Sequence, residues 1–213
     1  MRNLPNGVCG PATSVTAVDL GTAVGSAWSA GISLYGVCAL LGIAGRLEWI
    51  DGPVFLEQTW VIGLALVLFA VELIVDKIAW IDSIWDAVHT FIRPIGGAAI
   101  TSLAPGQELP LPVMLALGAL LALSSHSAKA SARAMINASP EPISNVVVSA
   151  LEDGLVGVVM ALAIAYPRVA LVLTIFLAIA SGLVAIVFFR FVRASWRRIR
   201  RWRDQRRERR AAW

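Results

Sequence analysis

The chain has 213 residues, of which 58% are hydrophobic and 15% charged, and a mean hydropathy of +0.75. A soluble domain carries about a quarter charged residues, so this chain has too little polar surface to cover its own apolar segments, and a water-soluble globular protein is excluded. The formal charge of +4 is lopsided, because eleven of the eighteen basic residues are arginines between Arg190 and Arg210.

Residues 1–17 carry Pro5, Gly7, Gly10 and Pro11 and lack the apolar core of a cleavable signal, so they read as an irregular cytoplasmic lead-in. Uncharged runs then recur, and crossing about 30 Å of hydrocarbon takes roughly 20 apolar residues. Spans are expected at 18–45, 58–79, 83–104, 109–131, 144–165 and 168–192. The fold class is an all-α polytopic membrane bundle of about six spans, with five plus a re-entrant segment as the alternative. Asp51-Gly52-Pro53 and Ala104-Pro105-Gly106 supply turn chemistry after the first and third spans. Pro140 and Pro142 forbid helix before the fifth, and Pro167 is suited to open the last. The third span is ambiguous: with Asp86, His89, Arg93 and Pro94 it is either a full helix kinked at Pro94 or an interfacial helix followed by a re-entrant stretch.

Basic residues orient the bundle. With both termini cytoplasmic, that face holds Arg2, Lys77, Lys129, Arg133 and the tail arginines, leaving Arg46 and Arg168 outside. This predicts a transmembrane domain over 18–192 in a bacterial inner membrane, with a basic cytoplasmic tail over 193–213. The tail interleaves Trp196, Ile199 and Trp202 with its arginines, which suits a helix lying on anionic inner-leaflet lipids.

Ionisable residues inside a membrane are costly and face a bundle interior or a cavity. Here they form three groups. In the first, Glu72, Asp76, Asp82, Asp86, His89, Thr90 and Arg93 would share roughly 140° of one unbroken helix, with Lys77 off that face. The second is His126, Lys129, Arg133 and Asn137, and the third is Asn145, Ser149, Glu152 and, at its edge, Asp153. The stripes are thus mainly acidic, basic and acidic, and Ala122, Ala128, Gly154 and Gly157 are small enough for close helix contact. They either neutralise one another as interhelical pairs or line a polar cavity that binds an ion or solute.

Sharper motifs are sparse. Asp86 and His89, three residues apart, could offer two ligands to a divalent cation with His126 joining, although Lys129 and Arg133 would oppose it. The pair Asp82 and Asp86 resembles the aspartates that hold magnesium diphosphate in membrane prenyl- and alcohol-phosphatidyl-transferases, without the second aspartate-rich repeat of those enzymes. Neither a Gly-rich phosphate loop nor a serine or cysteine nucleophile beside a base is evident, and no cofactor is expected.

One longer resemblance runs through Glu72 with Asp76-Lys77, the segment Asp82-Ser83-Ile84-Trp85-Asp86-Ala87-Val88-His89-Thr90-Phe91-Ile92-Arg93-Pro94, then His126-Ser127-Ala128-Lys129-Ala130, Arg133, Asn137-Ala138-Ser139-Pro140, Ser144-Asn145 and Glu152-Asp153. On these residues the chain resembles an uncharacterised bacterial membrane-protein family, domain of unknown function 4126, from about Gly21 to Phe189. The resemblance implies no activity. From the residues themselves, the leading expectation is a small transporter or channel-like protein. His126, Lys129 and Arg133 would attract an anionic group, and Glu72, Asp76, Glu152 and Asp153 would take a coupling proton or cation. The alternatives are a membrane enzyme acting on a phosphorylated lipid through a divalent cation at Asp82 and Asp86, and a non-catalytic subunit of a homo-oligomer or larger membrane complex.

Overall fold

A computed structural model describes residues 17–104, 109–137 and 142–211. The expected lead-in, apart from Ala17, lies outside the described residues, as do the turn residues 105–108 and 138–141. Seven helices and no strand occur among the described residues: α1 (Ala17–Ala30), α2 (Leu34–Arg46), α3 (Thr59–Val75), α4 (Ala79–Leu103), α5 (Leu111–Asn137), α6 (Pro142–Ala165) and α7 (Pro167–Ala211).

Polarity is inverted relative to a soluble fold. Phe176, Ile179, Leu183 and Val187 face outward, whereas Arg93, Arg133, His126 and Glu72 are among the largest fully buried side chains. That distribution is stable only where the surroundings are apolar. Leu111–Asn137, Ile143–Ala165 and Pro167–Arg203 are long and apolar enough to cross a membrane by length and composition, and α3 is a shorter apolar helix of 17 residues. The ambiguity at 83–104 is resolved as one continuous helix of 25 residues that accommodates Pro94 in its interior.

The first expected span, 18–45, is not a single span. It breaks at Gly31-Ile32-Ser33 into α1 and α2, of 14 and 13 residues. Each piece is about 20 Å long at 1.5 Å per residue, short of the hydrocarbon thickness. The two do not run on in one direction. Thr22 near the start of α1 donates to the carbonyl of Ala163 at the end of α6 (2.8 Å), and Gly21 abuts Pro167 in the α6–α7 turn. Leu41 late in α2, and the loop Trp49–Pro53 beyond it, border one cavity together with Thr22, Ser26 and Pro167. The pair is therefore a re-entrant hairpin that enters and leaves at one end of the bundle, with its tip inside. That tip contacts Ser125, which lies about 21 Å along α5 from Leu111 and about 18 Å from Asn137. It sits near the middle of α5. Helices α4, α5, α6 and α7 all pack against α1, and α3 packs antiparallel on α2.

The hairpin's return is closed at α2 by a Schellman arrangement: Trp49 N–H donates to Ala44 O (2.9 Å) and Glu48 N–H to Gly45 O (3.0 Å). Glu48 holds the position glycine normally takes, at φ 59°. A Cβ there costs about 1 kcal/mol, so Glu48→Gly should raise thermal stability by about that amount, measured as the Tm of the detergent-solubilised protein.

Helices α3 to α7 pack around the hairpin. Ala17 lies at the hairpin-mouth end, and α7 carries Arg190 and the following arginines away from the other. The tail expected to begin at 193 is a continuation of α7, which runs 45 residues without a break. α4 and α5 pack most intimately. A Cβ on Gly97 would lie 2.6 Å from both Ala122 Cβ and Gly118 O, and Thr101 Oγ1 donates to Met114 O (2.7 Å) across the same interface. Small residues spaced four apart thus let two backbones touch, which brings the charged stripes of α4 and α5 side by side.

Candidate functional site

The hairpin tip and the charged stripes meet. Breaking a helix inside a membrane leaves backbone carbonyls that lipid cannot satisfy. Here long-range side chains satisfy them. Ser125 Oγ donates to Trp28 O (2.6 Å), Arg93 Nη1 to Gly31 O (3.2 Å) and Lys129 Nζ to Ile32 O (3.1 Å). Two cations thus cap the negative end of α1, while Ser33, the N-cap of α2, donates to Glu72 Oε2 (2.7 Å) and places a carboxylate by the positive end of α2.

Around this tip the stripes pair. Arg93 binds Glu72 at 2.7 Å and approaches Asp86 at 3.4 Å. Lys129 binds Asp76 at 2.6 Å. Arg133 binds Glu152 at 2.6 Å and Asn145 Oδ1 at 2.7 Å, lies 3.6 Å from Asp76 and 3.9 Å from Asp82, and also donates to the Asp76 carbonyl at 2.5 Å. Asn137 Nδ2 reaches Asp82 at 3.2 Å. The acidic–basic–acidic order expected from the stripes is thus realised as α3/α4, α5 and α6.

His126 is neutral by its hydrogen bonds. Thr90 Oγ1 donates its only proton to Asp86 O (2.9 Å), so it accepts from His126 Nε2–H (3.0 Å), and Arg93 donates to His126 Nδ1 (2.9 Å). His89 Nδ1–H donates to Trp85 O (2.8 Å) and Nε2 pairs with Tyr35 OH (3.0 Å), with the Trp85 ring stacked on the imidazole at 4.3 Å. Among the described residues, five carboxylates (Glu72, Asp76, Asp82, Asp86, Glu152) thus face three lysine and arginine side chains, Arg93, Lys129 and Arg133. Asp76 Oδ1, Asp82 Oδ1 and Asp86 Oδ2 are buried with no hydrogen-bond partner among the described residues.

This geometry sorts the expected site residues. Glu72, Asp76, Asp82, Asp86, His89, Arg93, His126, Lys129, Arg133, Asn137, Asn145 and Glu152 converge. Two do not join. Lys77 is exposed and bonds Leu73 O one turn back in α3 (2.6 Å), and Asp153 borders an apolar groove with Ser33, Phe69 and Val156. Asp82 and Asp86, read as a possible cation pair, are divided between Arg133 and Arg93, and His89 spends both nitrogens on protein partners. Among the described residues no three His, Cys, Asp or Glu side chains form a metal-holding group. Sequence reading missed Ser33, Tyr35 and the carbonyls of Trp28, Gly31 and Ile32. The only local signal for them is polar Ser29 and Ser33 flanking Gly31 in an otherwise apolar run.

Comparison with known proteins adds a family. No curated protein and no solved structure matches the chain. A family model described as "Domain of unknown function (DUF4126)" matches residues 20–187, from the first turn of α1 through the membrane part of α7 and across the whole charged centre, and the chain belongs to that family.

Proposed function

We propose that this protein is a small transporter or channel-like protein that moves a small ion across the membrane, its path passing the hairpin tip and the buried carboxylates. The observation that carries this reading is the imbalance of five carboxylates against three paired cations at the end of a broken helix. A purely structural network would be balanced, because every unpaired buried charge costs several kcal/mol. Two surplus carboxylates are acceptors for a proton or another small cation. With Arg93, Lys129 and Arg133 already committed, the geometry favours the cationic side of the expected chemistry over binding of an anionic solute. Broken helices with termini at the midplane are how many transporters build ion sites.

The orientation follows from the basic residues, with the α7 arginines cytoplasmic against anionic lipid and the hairpin mouth, where Glu48, Asp51 and Glu57 lie, outside. The protein in proteoliposomes should dissipate an imposed proton or cation gradient, read with an entrapped pH or ion dye. Glu152→Gln and Lys129→Met should each reduce that flux at least tenfold, a barrier change of about 1.4 kcal/mol. Flux untouched by both changes would end this reading.

A further inference from the structure

Within that transport reading, on which it rests, we infer that the cavity at the mouth of the hairpin is a water-filled vestibule through which protons reach Glu72. The cavity holds about 240 Å³, and at about 30 Å³ per water that is room for several molecules. Its lining is polar where the path would begin. Thr22, Ser26 and Asp51 face it, together with Trp49, Ile100 and Pro167. Asp51 gives the opening a negative charge, which concentrates cations.

Ser26 forms the floor. Its side chain is 1% exposed and its Oγ has no hydrogen-bond partner among the described residues, a condition that water in the cavity would relieve. The next hydroxyl inward, Ser29 Oγ, is fully buried and likewise unpartnered. Thr22, Ser26 and Ser29 fall within about 60° of one face of α1. Beyond Ser29 comes Ser33, whose hydroxyl already donates to Glu72 Oε2 at 2.7 Å. Ser26 and Ser29 are hydrogen-bonded neither to each other nor to Ser33, so water between these hydroxyls would complete the path from the cavity to the carboxylate at the tip. Hydroxyls suit protons better than metal ions, since each accepts one proton while passing on its own, whereas a metal ion needs several oxygens at once.

The step balances. A hydronium ion in the vestibule gives up a proton and becomes water, each hydroxyl and bridging water takes one proton and releases one, and an O–H bond forms on Glu72 as its charge is neutralised. The Glu72–Arg93 pair then loses its attraction, and Arg93 turns to Asp86, already 3.4 Å away with its second oxygen unpartnered. Release of the proton restores the Glu72 pair.

The test uses the full chain in proteoliposomes, with Cys9→Ser and Cys38→Ala as background, Ser26→Cys introduced, and trypsin cleavage of the arginine arm reporting orientation. Membrane-impermeant methanethiosulfonate reagents are applied to each face. Ser26→Cys should react from the face opposite the arm, about tenfold faster with a trimethylammonium reagent than with a sulfonate one because of Asp51. The reaction should abolish proton flux. Ser29→Ala should cut flux at least fivefold while leaving the Ser26→Cys reaction rate unchanged. A cysteine at 26 that stays inert from both faces, while Glu48→Cys reacts, overturns the vestibule, as does reaction only from the arm face. Modification that leaves flux intact overturns the route. Reaction from the expected face in a protein without any wild-type flux upholds the vestibule and removes the transport reading alone.

Discussion

Replacing Arg133 with methionine is expected to lower stability by about 3–5 kcal/mol, the cost of breaking a buried ion pair by removing one partner. The side chain is 2% exposed and serves Glu152, Asp76, Asp82 and Asn145 at once, joining α3, α4, α5 and α6. Its loss strands Glu152 and Asp82 in an apolar interior and frees the Asn145 amide from its partner. Methionine fills much of the volume, so the loss measures charge and hydrogen bonding more than packing. Arg133→Lys should recover little, because an ammonium cannot present the guanidinium fork that reaches Glu152 through both Nε and Nη2. Adding Glu152→Gln and Asp82→Asn to Arg133→Met should regain part of the lost stability, since those groups then need no counter-charge. The readout is Tm and the monodisperse fraction on size exclusion in detergent. A single variant with unchanged Tm would show that the network carries no stabilising pair at this position.

Gly31→Ala is expected to be strongly damaging for so small a change. A Cβ at that position falls on Ala122 O and Ser125 Oγ, and the first of these is backbone that cannot rotate away. The hairpin tip must withdraw from α5, which breaks the bonds from Ser125 to Trp28 O and from Lys129 to Ile32 O. Overpacking of this kind costs about 1–3 kcal/mol before the lost bonds are counted. In proteoliposomes the same variant should lose transport by at least tenfold, because the tip is where the hydroxyl row meets Glu72. Ser125→Ala, which removes the clashing hydroxyl but leaves Ala122 O, should rescue Gly31→Ala only in part. Wild-type stability in Gly31→Ala would mean that the tip and α5 are not in contact.

Much of this site was legible from spacing. Glu72/Asp76, Asp86/His89/Arg93 and His126/Lys129/Arg133 repeat at three and four residues, and helical periodicity alone puts each set on one face. The high cost of intramembrane charge then forces those faces together, and the pairs Lys129–Asp76 and Arg133–Glu152 are the result. Lys77 stayed outside because it falls off the face at the end of α3, as its position in the stripe indicated. Asp153 was less legible: it sits at the edge of its stripe, and the rotation of α6 against α2 turned it toward the apolar groove that Ser33 also borders.

What the sequence determined by itself was the membrane setting, the number and starting points of the helices beyond residue 58, the membership of the family, and the three charged faces. All of these rest on composition and on patterns within single helices. The hairpin was decided by the tertiary structure. Nothing between Leu20 and Gly45 forbids one uninterrupted helix, and the break at Gly31-Ile32-Ser33 is held by Arg93, Ser125 and Lys129, which are 62 to 97 residues away in sequence. Local propensity cannot anticipate carbonyls whose donors arrive only when α4 and α5 have packed. The same packing sets the balance of five carboxylates to three cations, and with it the case for an ion path.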